Sequence, residues 1–299
     1  MQGVPRELLG TARLPRVILL ALADWAGIAA IWLAAPRAPF WLYPLWVVLL
    51  AGRFHALGVL LHDAAHLPRT PKTPPLRMLE IIAGYPVGTS VDAMRYHHLR
   101  HHRDLGLRGD PYLKPWVGKS RARFWVMSLR YFLLVPLWVL RGFYGCVAAY
   151  VPGARNGYGR LFLQDGSGED LTQSAEVIAC AREDRWQTIF YVGFALLAAL
   201  RPRWTLEFYV VPLVVAGYLA GYRLLVEHAQ EASEDRSVEA ILRSTRNHHL
   251  GFAGRLLFAP HNVGYHVVHH LHPQAALENL PNLQKWYELN GNLSAPDAR

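Results

Sequence analysis

Of the chain's 15 histidines, 11 fall into three groups. His62 and His66 stand four residues apart, His97, His98, His101 and His102 share one short stretch, and His261, His266, His269, His270 and His272 follow much later. Neutral imidazole is the commonest protein ligand for iron, zinc and copper. Residues four apart on a helix share a face, so His62 and His66 can address one ion. The candidate ligands are His62, His66, His98, His101, His102, His266, His269 and His270. Spacing leaves the outlying ligand of the second group open between His97 and His98, and leaves His228 and His261 undecided. His248, His249 and His272 read as loop residues or as partners of ligands. Asp63, Asp110 and Glu227 are the nearby carboxylates that could ligate or orient an imidazole. Three segments meeting in space could hold two ions, each with an open position. Nitrogen-rich coordination of that kind suits iron that binds and activates oxygen. Structural zinc would want four ligands per ion, usually including cysteine, and Cys146 and Cys180 form no such motif.

The elements that must position these groups are apolar. A membrane-crossing helix needs roughly 20 mostly apolar residues. Residues 17–35 and 40–61 nearly meet that, residues 204–226 reach it, and residues 186–200 form a shorter run ahead of Arg201-Pro202-Arg203. These predict two helical hairpins. The net charge of +9 does not mark a nucleic-acid surface, because the basic residues flank the apolar runs instead of gathering on one module. Residues 67–123 carry eleven Lys or Arg, against Arg37 alone between the first two runs. The positive-inside bias therefore puts the histidine groups on the cytoplasmic side. The excess of Arg over Lys points to a GC-rich bacterial source, and so to a bacterial inner membrane.

Asp24 and Arg53 fall at similar depth on the first two spans, where an unpaired ion is expensive, so a pair between them is expected. His55 lies on the stripe of His62 but roughly 10 Å deeper, which suits packing or a substrate channel. Residues 76–91, interrupted by Glu80, Gly84, Pro86 and Gly88, read as re-entrant or interfacial. Residues 123–150 place Arg123, Arg130 and Arg141 on one stripe, which favours a helix lying in the membrane surface, with a kinked crossing as the alternative. A loop with a short helix is expected over 151–185, and a polar tail from residue 281. The expectation is an all-α integral membrane fold, one domain of residues 1–299. It has about four transmembrane helices in two hairpins, interfacial or re-entrant helices, and a cytoplasmic histidine-rich cap.

H-D-x-x-H at 62–66, H-x-x-H-H at 98–102 followed by Asp110-Pro111, and N-x-x-Y-H-x-x-H-H-L-x-P at 262–273 resemble the membrane fatty acid desaturase family. So do Arg223-x-x-x-Glu227-His228 and the approach from Thr245-Arg246 to Leu256-Leu257-Phe258-Ala259-Pro260. The resemblance implies a non-haem diiron centre held by the eight histidines, with O2 as co-substrate. It also implies a lipid or other apolar substrate and a separate electron donor, a ferredoxin or a cytochrome with its reductase. It makes His228 a candidate extra ligand and Asn262 a partner of a bound water. Val268 stands where many relatives carry an acid, Tyr112 follows Asp110-Pro111 instead of another acid, and residues 274–278 lack the common Val-Pro pattern. These departures point away from ordinary membrane-lipid acyl chains. Loss of a second hydrogen from the substrate gives an alkene and return of oxygen gives an alcohol, so a hydroxylase or ketolase on the same scaffold is the alternative to a desaturase. A metal or proton transporter would carry its ionisable groups inside the spans, whereas most of these histidines sit at span ends and in loops.

Overall fold

The computed structural model describes residues 3–68, 72–248, 250–290 and 293. His249 lies outside them, as does the centre of the Pro-rich break after His66. The described residues are helical, with no strand among them. Helix α1 (Leu14–Ala34) and helix α2 (Tyr43–Ala65) form the first hairpin, each with a proline in its first turn, where the missing N–H has no helical partner to lose. Helix α3 (Pro74–Leu79) runs into a π-turn and then a 3-10 turn. Gly88, at φ 81°, ends that run in the left-handed region that glycine enters freely. Residues 76–91 are thus a broken helical segment. Helix α4 (Val91–Asp104) starts at Ser90, whose Oγ accepts the N–H of Ala93 at 3.4 Å, a standard N-cap.

Helices α5 (Arg121–Arg130) and α6 (Leu134–Ala148) are joined by one 3-10 turn. The single turn α7 (Arg155–Gly157) is followed by a π-turn, and the long helix α8 (Ala175–Leu200) comes next. Helix α9 (Pro202–Thr205) leads through another π-turn into α10 (Val211–Glu227). The short helices α11 (Val238–Ser244), α12 (Phe252–Leu257) and α13 (His266–Leu271) precede α14 (Leu280–Leu289).

Four stretches are long and apolar enough to cross a membrane: Leu14–Arg37, Phe40–Ala65, Arg121–Ala148 and Pro202–Glu227. The third covers the stretch read as a surface helix with a kinked crossing as the alternative, and qualifies by length and composition alone. The run at 186–200 belongs to α8, whose first half carries Glu176, Arg182, Glu183, Asp184 and Arg185. That helix still reaches from Glu176, bonded to Arg100 of α4, to Phe194, packed on Tyr209, and ends one residue before α9, so the expected second hairpin is present. In 121–148 the arginine stripe is broken in three dimensions. Arg123 and Arg130 are exposed, but α6 packs along α8 and turns Arg141, fully buried, onto Asp184. Pro136 sits in the first turn of α6, where it removes no helical hydrogen bond. The polar tail expected from residue 281 is also corrected. Leu280, Leu283 and Tyr287 recur at helical spacing, and α14 buries them with Val59, Val263 and Val268.

Helix α2 is the central element, buried along most of its length and packed by α1, α4, α10 and α12. Leu19, Leu33, Leu129, Leu140, Leu196 and Leu200 on the outer helices are exposed, a surface suited to lipid. The expected pair forms inside: Arg53 Nη1 donates to Asp24 Oδ1 at 2.6 Å. Arg53 also donates to the carbonyl of Leu256, tying the hairpin to α12.

Candidate metal centre

Helix phase decides where the imidazoles meet. His62 near the end of α2 and His66 at its C-cap, four apart, approach His98 and His102, four apart on α4, and His269 on α13. His101, on the flank of the same side of α4, meets His228, at the C-cap of α10, with His270 of α13. His266, one turn before His270, completes this second group. The first cluster has five imidazoles and the second has four.

Within the first cluster His98 Nε2 lies 3.0 Å from His66 Nε2 and 2.9 Å from His102 Nε2, which is 3.1 Å from His269 Nε2. In the second, His228 Nε2 lies 2.9 Å from His101 Nε2, 3.0 Å from His266 Nε2 and 3.2 Å from His270 Nε2. His266 and His270 close the triangle at 3.1 Å. Metal–nitrogen bonds of about 2.1 Å at right angles put neighbouring donors about 3 Å apart. Hydrogen bonds among the rings cannot replace the ion. His101 directs Nδ1 at Asp110 Oδ1, 2.8 Å away, and His228 directs Nδ1 at the carbonyl of Leu224, 2.9 Å away. In the neutral, metal-binding form each of these rings has its proton on Nδ1, and bare Nε2 lone pairs then face each other at 2.9 Å. A cation between them removes that repulsion, so the donor set fits metal.

Burial, with neighbouring imidazoles, pushes His98, His102, His266, His269 and His270 well below the ordinary 6.5. Burial and the Arg95 guanidinium bring His66 to about 4, and burial with His101 brings His228 to about 3. At neutral pH these rings are neutral, the form that binds metal.

The two residues left open at position 97 or 98 separate in the structure. His98 joins the first cluster, whereas His97 puts Nδ1 2.6 Å from the Tyr112 hydroxyl and stacks on Trp138. His261 is in neither cluster: its Nε2 lies 2.8 Å from Asp24 Oδ2. It and Asn262 adopt φ of 53° and 66°, a costly region for residues with a Cβ. Asn262 donates to the carbonyl of Leu277 at 3.3 Å, and Asp63 accepts the N–H of Leu277 at 3.3 Å. Asp110 orients His101, and Glu227 accepts two hydrogen bonds from Arg223 at 2.8 Å and lies 3.5 Å from His266 Nδ1. His272 lies 2.7 Å from the Tyr287 hydroxyl, and His248 Nε2 lies 3.7 Å from Glu227. Sequence spacing did not single out Asn247, which accepts the N–H of Val267 at 2.8 Å and fixes the start of α13. An asparagine beside a histidine pair carries no distinguishing signal.

A mainly apolar cavity of about 350 Å³ reaches both clusters. His62 and His98 of the first and His101, His228 and His266 of the second form part of its wall, with Trp138, Leu213 and Gly217 among the apolar lining. His55 and His97 line it too. Its cationic lining residues are Lys114, Arg130 and Arg223. Arg223 is paired with Glu227, whereas the Lys114 ammonium, among the described residues, donates to the carbonyl of Pro111.

Converging histidine clusters at the ends of apolar helices, beside an apolar cavity, form a donor set that could hold metal at the edge of a membrane-type bundle, and comparison with known proteins gives the family. The fatty acid desaturase profile matches residues 38–290, and the chain belongs to that family. It is 28% identical over 270 residues to the dihydrorhizobitoxine desaturase of Bradyrhizobium elkanii, covering 88% of this chain and 72% of that protein. The chain is accordingly a desaturase-type oxidoreductase.

Proposed function

We propose that this chain, residues 1–299 as one integral membrane unit, introduces a carbon–carbon double bond into an apolar substrate at a histidine-held diiron centre. The observation that supports this most is the pair of clusters with 2.9–3.2 Å spacings between neighbouring Nε2 atoms on one cavity wall. His62, His66, His98, His102 and His269 hold one iron, and His101, His228, His266 and His270 hold the other. Iron and oxygen supply the oxidising power for an unactivated C–H bond, which no side-chain acid or base can break. The substrate loses two hydrogens, and O2 is reduced to two waters with two electrons from a separate ferredoxin or cytochrome and two protons from solvent. The protein's part is positioning. Trp138, Leu213 and Gly217 hold the apolar body of the substrate, and the wall formed by both clusters presents it to the metals.

Lys114 and Arg130 give the substrate polarity. Among the described residues neither cation is hydrogen-bonded to a carboxylate in the cavity wall, whose acid, Glu227, is taken by Arg223. Asp110 lies near enough to act on the Lys114 charge but is bonded to His101. An amphiphile with an anionic end fits this lining better than a neutral hydrocarbon. The basic segment before α5 supports a centre on the cytoplasmic side, and the reading takes the membrane to be a bacterial inner membrane. The relative from Bradyrhizobium elkanii is named for dihydrorhizobitoxine, so that compound belongs among the first substrates to be tried.

The test is a mass comparison of lipids and small metabolites from a host expressing the wild type or His269→Ala, with a matching reductase supplied. A product two hydrogens lighter, dependent on His269, is expected. A product one oxygen heavier would instead make the enzyme a hydroxylase or ketolase.

A further inference from the structure

The two clusters differ in what stands behind them. In the second, two of the four rings direct their outward nitrogens at acceptors. His101 Nδ1 has Asp110 at 2.8 Å, and His228 Nδ1 has the Leu224 carbonyl at 2.9 Å. His266 Nδ1 has Glu227 at 3.5 Å, too long for a good hydrogen bond, and is the one outward nitrogen of this cluster found buried without a hydrogen-bond partner among the described residues. Asp110 is itself held, accepting the N–H of Gly106 at 3.0 Å and of Tyr112 at 2.8 Å. In the first cluster, the Nδ1 atoms of His62, His102 and His269 are buried and have no hydrogen-bond partner among the described residues. An imidazole that binds metal through Nε2 carries its proton on Nδ1. Where that proton meets a carboxylate or carbonyl, the ring is fixed in the binding tautomer and is a stronger donor; where it meets nothing, a buried donor goes unsatisfied. Access differs as well. His66 of the first cluster is partly exposed, whereas His101, His228 and His270 of the second are all buried.

We propose that the two metal positions are unequal. The position formed by His101, His228, His266 and His270 binds tightly, with Asp110 as its positioning residue acting through His101. The position formed by His62, His66, His98, His102 and His269 is the labile one. Five donors against four would favour the first cluster on number alone, so orientation and shielding must outweigh one extra ligand. This inference rests on the diiron reading given above.

The experiment uses the full chain in detergent, loaded anaerobically with ferrous iron and exposed to rising concentrations of a ferrous chelator. Iron per chain and the Mössbauer spectrum are followed. Wild type should lose its two irons in two steps separated by tenfold or more in chelator concentration. Asp110→Asn should move only the later step, by about 10–100-fold, towards the earlier one. His269→Ala should delete the earlier step and leave the later in place, an arm independent of whether Asp110→Asn folds. Loss of both irons in one step overturns the inequality and leaves the diiron reading standing. An Asp110→Asn variant in which the earlier step moves, or neither does, also overturns it. Fewer than two irons in the loaded wild type would remove the diiron reading and this inference with it.

Discussion

Replacing Arg141 by methionine would strand one buried charge, that of Asp184, which bonds no candidate metal ligand. Arg141 and Asp184 are both fully buried. The guanidinium donates to Asp184 at 3.0 Å and to Gln187 at 2.8 Å, while Asp184 also accepts from the Tyr158 hydroxyl at 2.6 Å and from Ser90 Oγ at 3.2 Å. Ser90 caps α4, so the same carboxylate steadies the start of the helix that carries His98, His101 and His102. After Arg141→Met, Asp184 keeps two hydroxyl donors and loses its counter-charge. Breaking one side of a buried pair costs about 3–5 kcal/mol. At roughly 2–4 °C per kcal/mol for a chain of this order of size, the melting temperature should fall by about 6–20 °C. The double variant Arg141→Met/Asp184→Asn removes both charges and should be less destabilised than the two single changes added together, by about 1 kcal/mol or more. Melting in detergent, followed by tryptophan fluorescence, measures all three. A shift under about 2 °C for Arg141→Met, or strict additivity in the double variant, would refute this reasoning.

Other expectations follow from other contacts. Asp24→Leu leaves Arg53 and His261 without their shared carboxylate and should cost about 3–5 kcal/mol; unchanged melting would show that the pair does not brace the turn before α13. A Cβ on Gly221 would run into the ring of Tyr131, which lines the cavity. Gly221→Ala should therefore cost about 1–3 kcal/mol and alter substrate turnover, and wild-type melting with wild-type turnover would count against this packing. Burial raises the Glu183 carboxyl, but hydrogen bonds from Arg77 and Lys72 outweigh it and hold the group below its ordinary 4.5. A carboxylate lowered in the folded state adds stability above its unfolded value, and that contribution is lost as pH falls through the folded one. The melting gap between wild type and Glu183→Gln should thus be full at pH 7 and close below pH 4.5; a gap that persists at lower pH would contradict the assignment.

Periodicity carried much of this structure. The His62–His66 pair at the end of an apolar run shows its shared face in the sequence, and the Asp24–Arg53 pair follows from equal depth. What spacing does not reveal is which face meets which neighbour. His228 is a lone imidazole after a glutamate, and only the fold of α10 against α4 and α13 brings it beside His101. His97 and His98 are adjacent with similar spacing to their partners, and the Tyr112 hydroxyl, on the loop that follows α4, separates them. Arg141 looked like a surface cation because its counter-charge, Asp184, lies on another helix. For α14, polar residues around Leu280, Leu283 and Tyr287 obscured a short apolar stripe.

The central claim is that the nine converging histidines hold two non-haem irons. It is tested most directly by iron content and the Mössbauer and optical spectra of the full chain purified without oxygen, beside a variant with His102→Ala and His270→Ala, one change per cluster. Two irons per chain with no haem Soret band in the wild type, and loss of iron in the variant with the helical content kept, is the predicted result. An intense Soret band, zinc in place of iron, or full iron retention in the variant would contradict the account.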